Sequence, residues 1–463
     1  EGGISGELNF TACAVNNYQR MPHVISMNPV KQMIPRLALP DAIIDGKAEG
    51  YLWDGASMEA QMTPFSYPMP GYSPIHMIYR YGTSSFGTVA QSGRMIEAYR
   101  HESIDFVVNQ SIWMEGDAEF ADVILPACTS FERWDISEWG NSGGYIHHNT
   151  DQLNHRLVVM QHKCIEPLGE SKSDYQIFFD ILSRMGLGVM FSEACSELDW
   201  AKRVFESSDL RHHVSWKDFV KKGYFVVPPE PAQTRDAVAY RWFAEGRPKD
   251  LPEPMPLPSQ FGEKFLHGLE TQSGKIEFLP STLKRVEEND ERPVLNKYIP
   301  SWEGPHTAEL VTKYPLQMLS THPRYSFHTF SDGKDSSIND IVDHRILIDG
   351  YYYWVMRINP ADAAARGIGH HDLIRVHNDR GSVVCAADVS PLIAPGVIKT
   401  FESAAVLDVI EHPVFGRVDR GGCVNILTPK RAQVKRTSGM ACNSCLVEIE
   451  RWTDSTAFAT AAE

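Results

Sequence analysis

Short apolar runs broken by polar turns organise the first third of the chain. Ile75–Tyr81 is apolar and aromatic and has the length of a strand. It runs into Gly82-Thr83-Ser84-Ser85, a loop of small residues. Met95, Ile96 and Tyr99 then recur at helical spacing. Asp105–Asn109 and Asp122–Leu125 follow as two further strands, rich in Val and Ile. Short apolar strands separated by a helix predict a parallel sheet. Ligands of open α/β sheets sit off the carboxyl ends of the strands. Here those ends are Gly82–Ser85 and Gln110–Asp117, and no GxGxxG fingerprint accompanies them.

Further on, Ser173 and Gln176 have the spacing of a capping box, and Asp174 suits the positive end of a helix dipole. Tyr175, Phe178, Leu182 and Met185 line one face of that helix, which Gly186 or Gly188 can end. Eight prolines crowd residues 228–258 and predict a surface connection with little regular structure, the best internal boundary. The last 150 or so residues read as mostly β. Tyr351–Met356 has strand length, and Asn359-Pro360 opens a short helix that Gly367 closes. In Leu373–His377, Ile374 and Val376 alternate with Arg375 and His377. Asn378-Asp-Arg-Gly381 makes a turn into the returning strand Ser382–Ala387. Gly396–Phe401, Val424–Leu427 and Leu446–Ile449 are further strands. A short helix among hairpins suggests a barrel-like β domain, so the fold class is α/β followed by a mostly β domain.

Composition narrows the function. The 463 residues are 43% hydrophobic and 22% charged, ordinary for a globular protein. No apolar run approaches the roughly 18 residues a membrane helix needs. No basic segment followed by an apolar stretch marks a signal peptide, so a cytoplasmic location away from the membrane is expected. The chain opens at Glu1 without an initiator Met and is read as processed or as a fragment. The formal net charge of −15 argues against nucleic acid as a general partner. One bound nucleotide stays compatible with it, since a pocket can hold phosphate with backbone N–H groups. Eight cysteines in a chain this long are no disulfide scaffold. Cys442-Asn-Ser-Cys445 has metal-like spacing but no second pair, so it reads as two small apolar residues beside a strand. His147-His148, His212-His213 and His370-His371 are adjacent pairs, whose side chains point apart on a strand, and are read as non-ligands. Asn9-Phe-Thr11 matches a glycosylation sequon without any sign of secretion.

Four segments in order carry a resemblance to a known family. They are Phe106–Glu115 continuing to Ala121–Pro126 and Glu132; Thr271–Phe278; Ser320–Thr329; and Ile358–Ala363 followed by Gly367, Asp372, Asn378–Gly381 and Pro395-Gly396. Their order and spacing resemble the molybdopterin oxidoreductases of the DMSO reductase family, over essentially the whole chain. Glu1–Gly6, Gln110–Glu115, Phe131–Glu138, Lys222–Pro228, Arg241–Arg247 and Arg420–Pro429 are most similar to members that move a hydroxyl between polyphenols. The reaction so implied turns pyrogallol into phloroglucinol with a tetrahydroxybenzene co-substrate. The resemblance implies Rossmann-like parallel layers and a C-terminal double-psi-type β-barrel. It divides the chain into an α/β part at 1–165, a second α/β part with the Pro-rich arm at 166–305, and the barrel at 306–463. It implies two molybdopterin guanine dinucleotides and a molybdenum whose protein ligand lies in an N-terminal half this chain lacks. A small iron–sulfur subunit, anaerobic metabolism and inactivity of this chain by itself follow from the same likeness. Two other readings are a family reductase or dehydroxylase with a different substrate, and a non-catalytic cofactor-binding fragment.

Candidate site residues come from both sources. Thr321, His322, Arg324, Ser326 and His328 put hydroxyls, imidazoles and a guanidinium on one irregular loop. Such a cluster suits a pyrophosphate, and it is equally a polar surface turn. The resemblance makes it the loop that contacts pterin and phosphates. Likewise Gly82, Thr83, Gln110, Ser111 and Glu115 match positions that hold a guanosine, although many members have Asp for Ser111 and Thr for Glu115. Asn425 matches an Asn that hydrogen-bonds the pterin, an edge an amide suits because it both donates and accepts. Asn443 matches another position near the pterin, and Asp174 is placed with the cofactor contacts. Tyr145 follows two glycines that let backbone approach a ligand closely. It is expected to touch the phenolic substrate, as a hydrogen-bonding group or an acid.

Overall fold

The computed structural model describes residues 29–52, 63–82, 84–140, 156–227, 277–279, 290–295, 297–323, 329, 337–402, 404, 406–432, 434–437, 439–441 and 443–452. By internal contacts the chain forms two compact units, 30–126 with 282–463, and 1–29 with 127–281.

The first unit opens on a short helix, Leu39–Ile44, followed by an antiparallel pair, β1 (Ala48–Leu52) with β2 (Thr63–Tyr67). The expected parallel sheet follows: β3 (Met77–Tyr81), β4 (Phe106–Ser111) and β5 (Val123–Pro126), in the order β3-β4-β5. The helix between them spans Ser92–Tyr99 and buries Met95, Ala98 and Tyr99. A second short helix, Ser85–Thr88, replaces the end of the expected small-residue loop. Ser84 caps it by accepting the Phe86 N–H at 3.2 Å.

The second unit holds an antiparallel sheet of β6 (Asp135–Gly140), β7 (Arg156–Gln161) and β8 (Tyr224–Val227). Val158 and Met160 of β7 pack with Ala201, Phe205, Leu210 and Phe219 in its core. The helix expected from Ser173 spans Asp174–Arg184, with the Ser173 hydroxyl accepting the Gln176 N–H at 3.1 Å. Half of the capping box is absent, because Gln176 Nε2 donates to Asp180 Oδ1 at 2.7 Å instead. The apolar face also differs: Ile177 is buried, and Met185 is 65% exposed. The helix ends before Met185, where Gly186 takes φ +77°. The proline-rich stretch 228–258 and the sequon lie outside the described residues.

Returning to the first unit, six strands close into a barrel. They are β9 (Leu316–Thr321), β11 (Tyr351–Ile358), β12 (Leu373–Asn378), β13 (Gly381–Val389), β14 (Val397–Phe401) and β17 (Leu446–Arg451), with β10 (Arg345–Ile348) antiparallel to β11 outside the ring. β11 pairs parallel with β13 and antiparallel with β14; β14 runs parallel to β9. β9 meets β17, β17 meets β12, and β12 meets β13, all antiparallel, which returns the ring to β11. Closure leaves no free edge within the ring. The hairpin β15 (Val409–His412) and β16 (Gly416–Asp419) continues from β13. Ile374 and Val376 are fully buried and Arg375 and His377 partly so, as the alternation predicts. Asn359 caps the short helix Pro360–Ala364 by accepting the Ala361 N–H at 2.9 Å. The barrel core is continuous with the parallel layer: Phe86, Met95 and Val107 join Met318, Trp354, Met356, Ile374 and Ile398 in one apolar cluster.

Val424–Leu427 is no strand. It forms a 3-10 turn at Val424–Ile426 in the core, and its backbone bonds run locally, from Leu427 N–H to the Val424 carbonyl at 2.9 Å. Apolar residues in a short run signal burial, and local bonding rather than periodicity decided the conformation here. Among the described residues, no helix is long and apolar enough to cross a membrane.

Candidate cofactor site

The carboxyl ends of β3 and β4 are built around Asp117. Gly82, at φ +85°, turns the chain off β3 and donates its N–H to the Gln110 carbonyl at 3.1 Å. The chain then enters the helix Ser85–Thr88, whose first N–H groups need acceptors. Asp117 supplies them: Ser85 N–H reaches Oδ2 at 3.0 Å, Phe86 N–H reaches Oδ1 at 3.2 Å, and the Ser84 hydroxyl also donates to Oδ1. Tyr99 OH donates to Oδ2 at 3.0 Å, and Arg80 Nε lies 3.5 Å away. Asp117 is completely buried, so its charge is compensated by this ring of donors.

Glu115 sits beside it, 1% exposed. Ser111 Oγ donates to one of its oxygens at 3.3 Å and Thr329 Oγ1 to the other at 3.1 Å. Thr329 in turn accepts the Ser84 N–H at 3.0 Å. Burial pushes the Glu115 carboxyl up to about 7; the hydrogen bond from Thr329 opposes this, the Asp117 charge adds to it, and Arg80 and Ser111 oppose it further. Gln110 is buried too and accepts from Tyr79 OH. Gln110, Ser111 and Glu115 therefore point inward and bond to neighbours at the sheet end.

Asn425 reaches the same helix from the barrel side. Its Nδ2 donates to the Gly87 carbonyl at 2.9 Å. Gly87 is required there, because a Cβ would press on the Ala404 carbonyl and Thr329 Cγ2. The Thr428 hydroxyl donates to the Asn425 carbonyl and accepts from Gln91 N–H, both at 2.9 Å, and the Cys423 thiol donates to the Phe86 carbonyl at 3.2 Å. Asn443 Oδ1 accepts the Ser320 N–H at 3.1 Å, fixing the end of β9. His322 Nδ1 lies 2.7 Å from Glu402 Oε1 and stays largely exposed.

The structure thus brings Gly82, Gln110, Ser111, Glu115 and Asn425 around the helix Ser85–Thr88, while Thr321, His322 and Asn443 lie at the carboxyl end of β9 and its neighbouring turn. Asp174 opens a helix of the other unit. Tyr145, Thr83, Arg324, Ser326 and His328 lie outside the described residues. Asp117, Ser84, Gly87 and Thr329 were not among the named candidates, although Ser84 and Asp117 fall within the strand ends Gly82–Ser85 and Gln110–Asp117, and Thr329 closes the segment Ser320–Thr329.

The donor set fits a heterocyclic, phosphorylated ligand. Asn425 Oδ1, Asn109 Oδ1, Ser320 Oγ and Thr321 Oγ1 are shielded from water and have no hydrogen-bond partner among the described residues. Each unmet group costs about 1–3 kcal/mol, which a ligand presenting ring N–H and phosphate groups recovers. Comparison with known proteins points the same way. A model described as "Molydopterin dinucleotide binding domain" matches residues 316–446, and one described as "Molybdopterin oxidoreductase" matches 53–184. The chain is 47% identical, over 98% of its length, to the pyrogallol hydroxytransferase large subunit of Pelobacter acidigallici. It belongs to the molybdopterin oxidoreductase family. Within this family, the dimethyl sulfoxide/trimethylamine N-oxide reductase of Cereibacter sphaeroides is 28% identical over 82% of the chain. The chain covers 53% of the first of these relatives and 42% of the second, about half the length of each. Acetylene hydratase from Pelobacter acetylenicus has a similar fold, with a TM-score of 0.56 at 15% identity, over 82% of this chain and 45% of that one. The family resemblance read from the four segments is thereby shown, and with it a molybdopterin dinucleotide as the family's cofactor.

Proposed function

We propose that the full polypeptide is the large subunit of a molybdenum hydroxytransferase that turns pyrogallol into phloroglucinol with a tetrahydroxybenzene co-substrate. The observation that carries this is the 47% identity to pyrogallol hydroxytransferase along nearly the whole chain. On this reading the cofactor is molybdopterin guanine dinucleotide, in two copies, and when bound it supplies the two-electron redox chemistry. The chain's own residues bind and orient it. Asn425 offers the pterin a buried acceptor with no partner among the described residues, and Ser320 and Thr321 offer hydroxyls at the end of β9. Arg324, Ser326 and His328 extend that set with charge and donors for phosphate, Gly82, Thr83, Gln110, Ser111 and Glu115 serve the nucleotide end, and Tyr145 binds the phenol. His322, Asn443 and Asp174 complete the proposed cofactor contacts. The barrel is proposed to be of the double-psi type. A small iron–sulfur subunit and the rest of the relative's length complete the assembly, in an anaerobic cytoplasm.

Anaerobic incubation of the purified full-length gene product with pyrogallol and tetrahydroxybenzene tests this. Phloroglucinol should accumulate, and pyrogallol consumption should stop when the co-substrate is withheld. A loaded enzyme that leaves pyrogallol untouched refutes the substrate assignment. The 28% identity to an N-oxide and sulfoxide reductase then favours reductase activity, read by oxidation of a reduced viologen with a different acceptor.

A further inference from the structure

The turn that carries Asn425 is held from both ends by side chains outside it. At its start, Asp419 accepts the Gly421 N–H at 3.1 Å and the Cys423 N–H at 2.7 Å, one on each oxygen. At its end, the Leu427 carbonyl receives Arg380 Nε at 2.6 Å, Asn378 Nδ2 at 2.9 Å and the Cys445 thiol at 3.2 Å. Asn378 Nδ2 also reaches the Leu446 carbonyl at 3.1 Å, and its Oδ1 accepts the Arg380 N–H at 3.0 Å. The guanidinium of Arg380 is anchored from behind by a two-point ion pair to Glu303, at 2.6 and 2.9 Å. Gly381 completes the contact: a Cβ there would run into Ile426 Cγ2, so β13 begins pressed against the turn.

A two-residue hairpin loop needs none of this. Such loops are satisfied by their own backbone and by short polar side chains, and Asn378 Oδ1 already does that. Yet the same asparagine's amide nitrogen and the arginine beside it are directed at one carbonyl, two residues beyond Asn425. Nothing covalent ties the hairpin to that turn. The turn presents an amide whose Nδ2 is committed to Gly87 while its Oδ1 is buried and has no partner among the described residues. Hydrogen bonds weaken steeply when their angle is lost, so a small rotation of the turn would re-aim Oδ1 away from a ligand donor. We infer that Asn378, Arg380 and Gly381 are positioning residues that set the Asn425 amide for the pterin. The inference rests on the proposed contact between Asn425 and the cofactor.

The test uses the full-length protein and reads molybdenum per polypeptide and released pterin fluorescence after a desalting wash, with melting temperature alongside. Asn378→Asp keeps the shape but turns a donor into an acceptor facing the Leu427 carbonyl. It should lower retained cofactor about tenfold, the effect of losing one or two hydrogen bonds, and Asn425→Ala should do the same. The double variant should retain no less than Asn425→Ala, because Asn378 acts through Asn425. Ile398→Ala, a barrel-core change in β14 that removes no hydrogen bond to the turn, is the control for destabilisation and should keep its cofactor. If Asn378→Asp retains as much as Ile398→Ala, or if the two losses multiply, the positioning role is overturned while the Asn425 contact stands. If Asn425→Ala itself retains wild-type cofactor, the contact fails and the inference fails with it.

Discussion

Glu115→Gln isolates one buried carboxyl. In the native chain its oxygens accept from Ser111 and Thr329, it is 1% exposed, and Asp117 lies nearby. Gln keeps the shape and the acceptor for Thr329, and the Ser111 hydroxyl can rotate to accept from the new amide. Burial first, and the Asp117 charge next in the same direction, raise the Glu115 pKa from 4.5 to about 7. The folded state therefore holds this proton in a range where the unfolded state has released it. Stability from this group is full below about 4.5 and is lost as pH rises through 7. At 1.36 kcal/mol per unit, the loss is on the order of 3 kcal/mol. Urea unfolding from pH 5 to 8.5, run in parallel on both proteins, cancels the other titrating groups in the difference. Relative to the Gln variant, the native chain should lose on the order of 3 kcal/mol across that range, so that the variant is the more stable protein above neutrality. A pH-independent difference, or one that grows in favour of the native chain at high pH, refutes the reasoning and places a compensating cation at Glu115.

Ile398 is fully buried in β14, within the barrel ring, and Ile398→Ala should lower unfolding free energy by about 2–5 kcal/mol in urea. Gly87→Ala forces a methyl against the Ala404 carbonyl; it should cost about 1–3 kcal/mol and, by displacing the carbonyl that Asn425 grips, reduce bound molybdenum measured by elemental analysis. Ser173→Ala removes the cap of the helix Asp174–Arg184 and should destabilise its unit by about 1 kcal/mol, seen as faster amide exchange in the first turn.

Local rules succeeded where the physics is local. Ser173 and Asn359 cap their helices because a side-chain oxygen two or three residues from an orphan N–H needs nothing else to find it. Ile374 and Val376 face the core because a strand has a period of two. β3, β4 and β5 appear within two residues of their expected ends because short apolar runs bounded by polar turns mark strands locally. Met185 failed at a helix end, where one residue changes which face is covered. The site was less legible. Gly82, Gln110 and Asn425 were singled out from strand ends and the family resemblance, and they gather around one short helix, yet the group that organises the sheet end is Asp117, which the sequence marks only as the last residue of a strand-end stretch. Its partners Ser84 and Tyr99 are 33 and 18 positions away, and Thr329, which bonds Glu115, is 214 away.

The amino-acid order by itself determined many of the elements: apolar runs and periodicity chose strand or helix, and turn residues placed most of the breaks. Tertiary structure decided what those elements became. Barrel closure depends on β11 meeting β13 and β14 meeting β9 in parallel, pairings between segments too distant for any local pattern to encode. Val424–Ile426 is a turn because Asp419 holds one end and Asn378 and Arg380 the other, and a window of three apolar residues and one asparagine contains none of them. Glu115 reads as a ligand-facing carboxylate in the sequence, but the desolvation that raises its pKa and the hydroxyls that claim its oxygens exist only once the sheet end and Thr329 have come together.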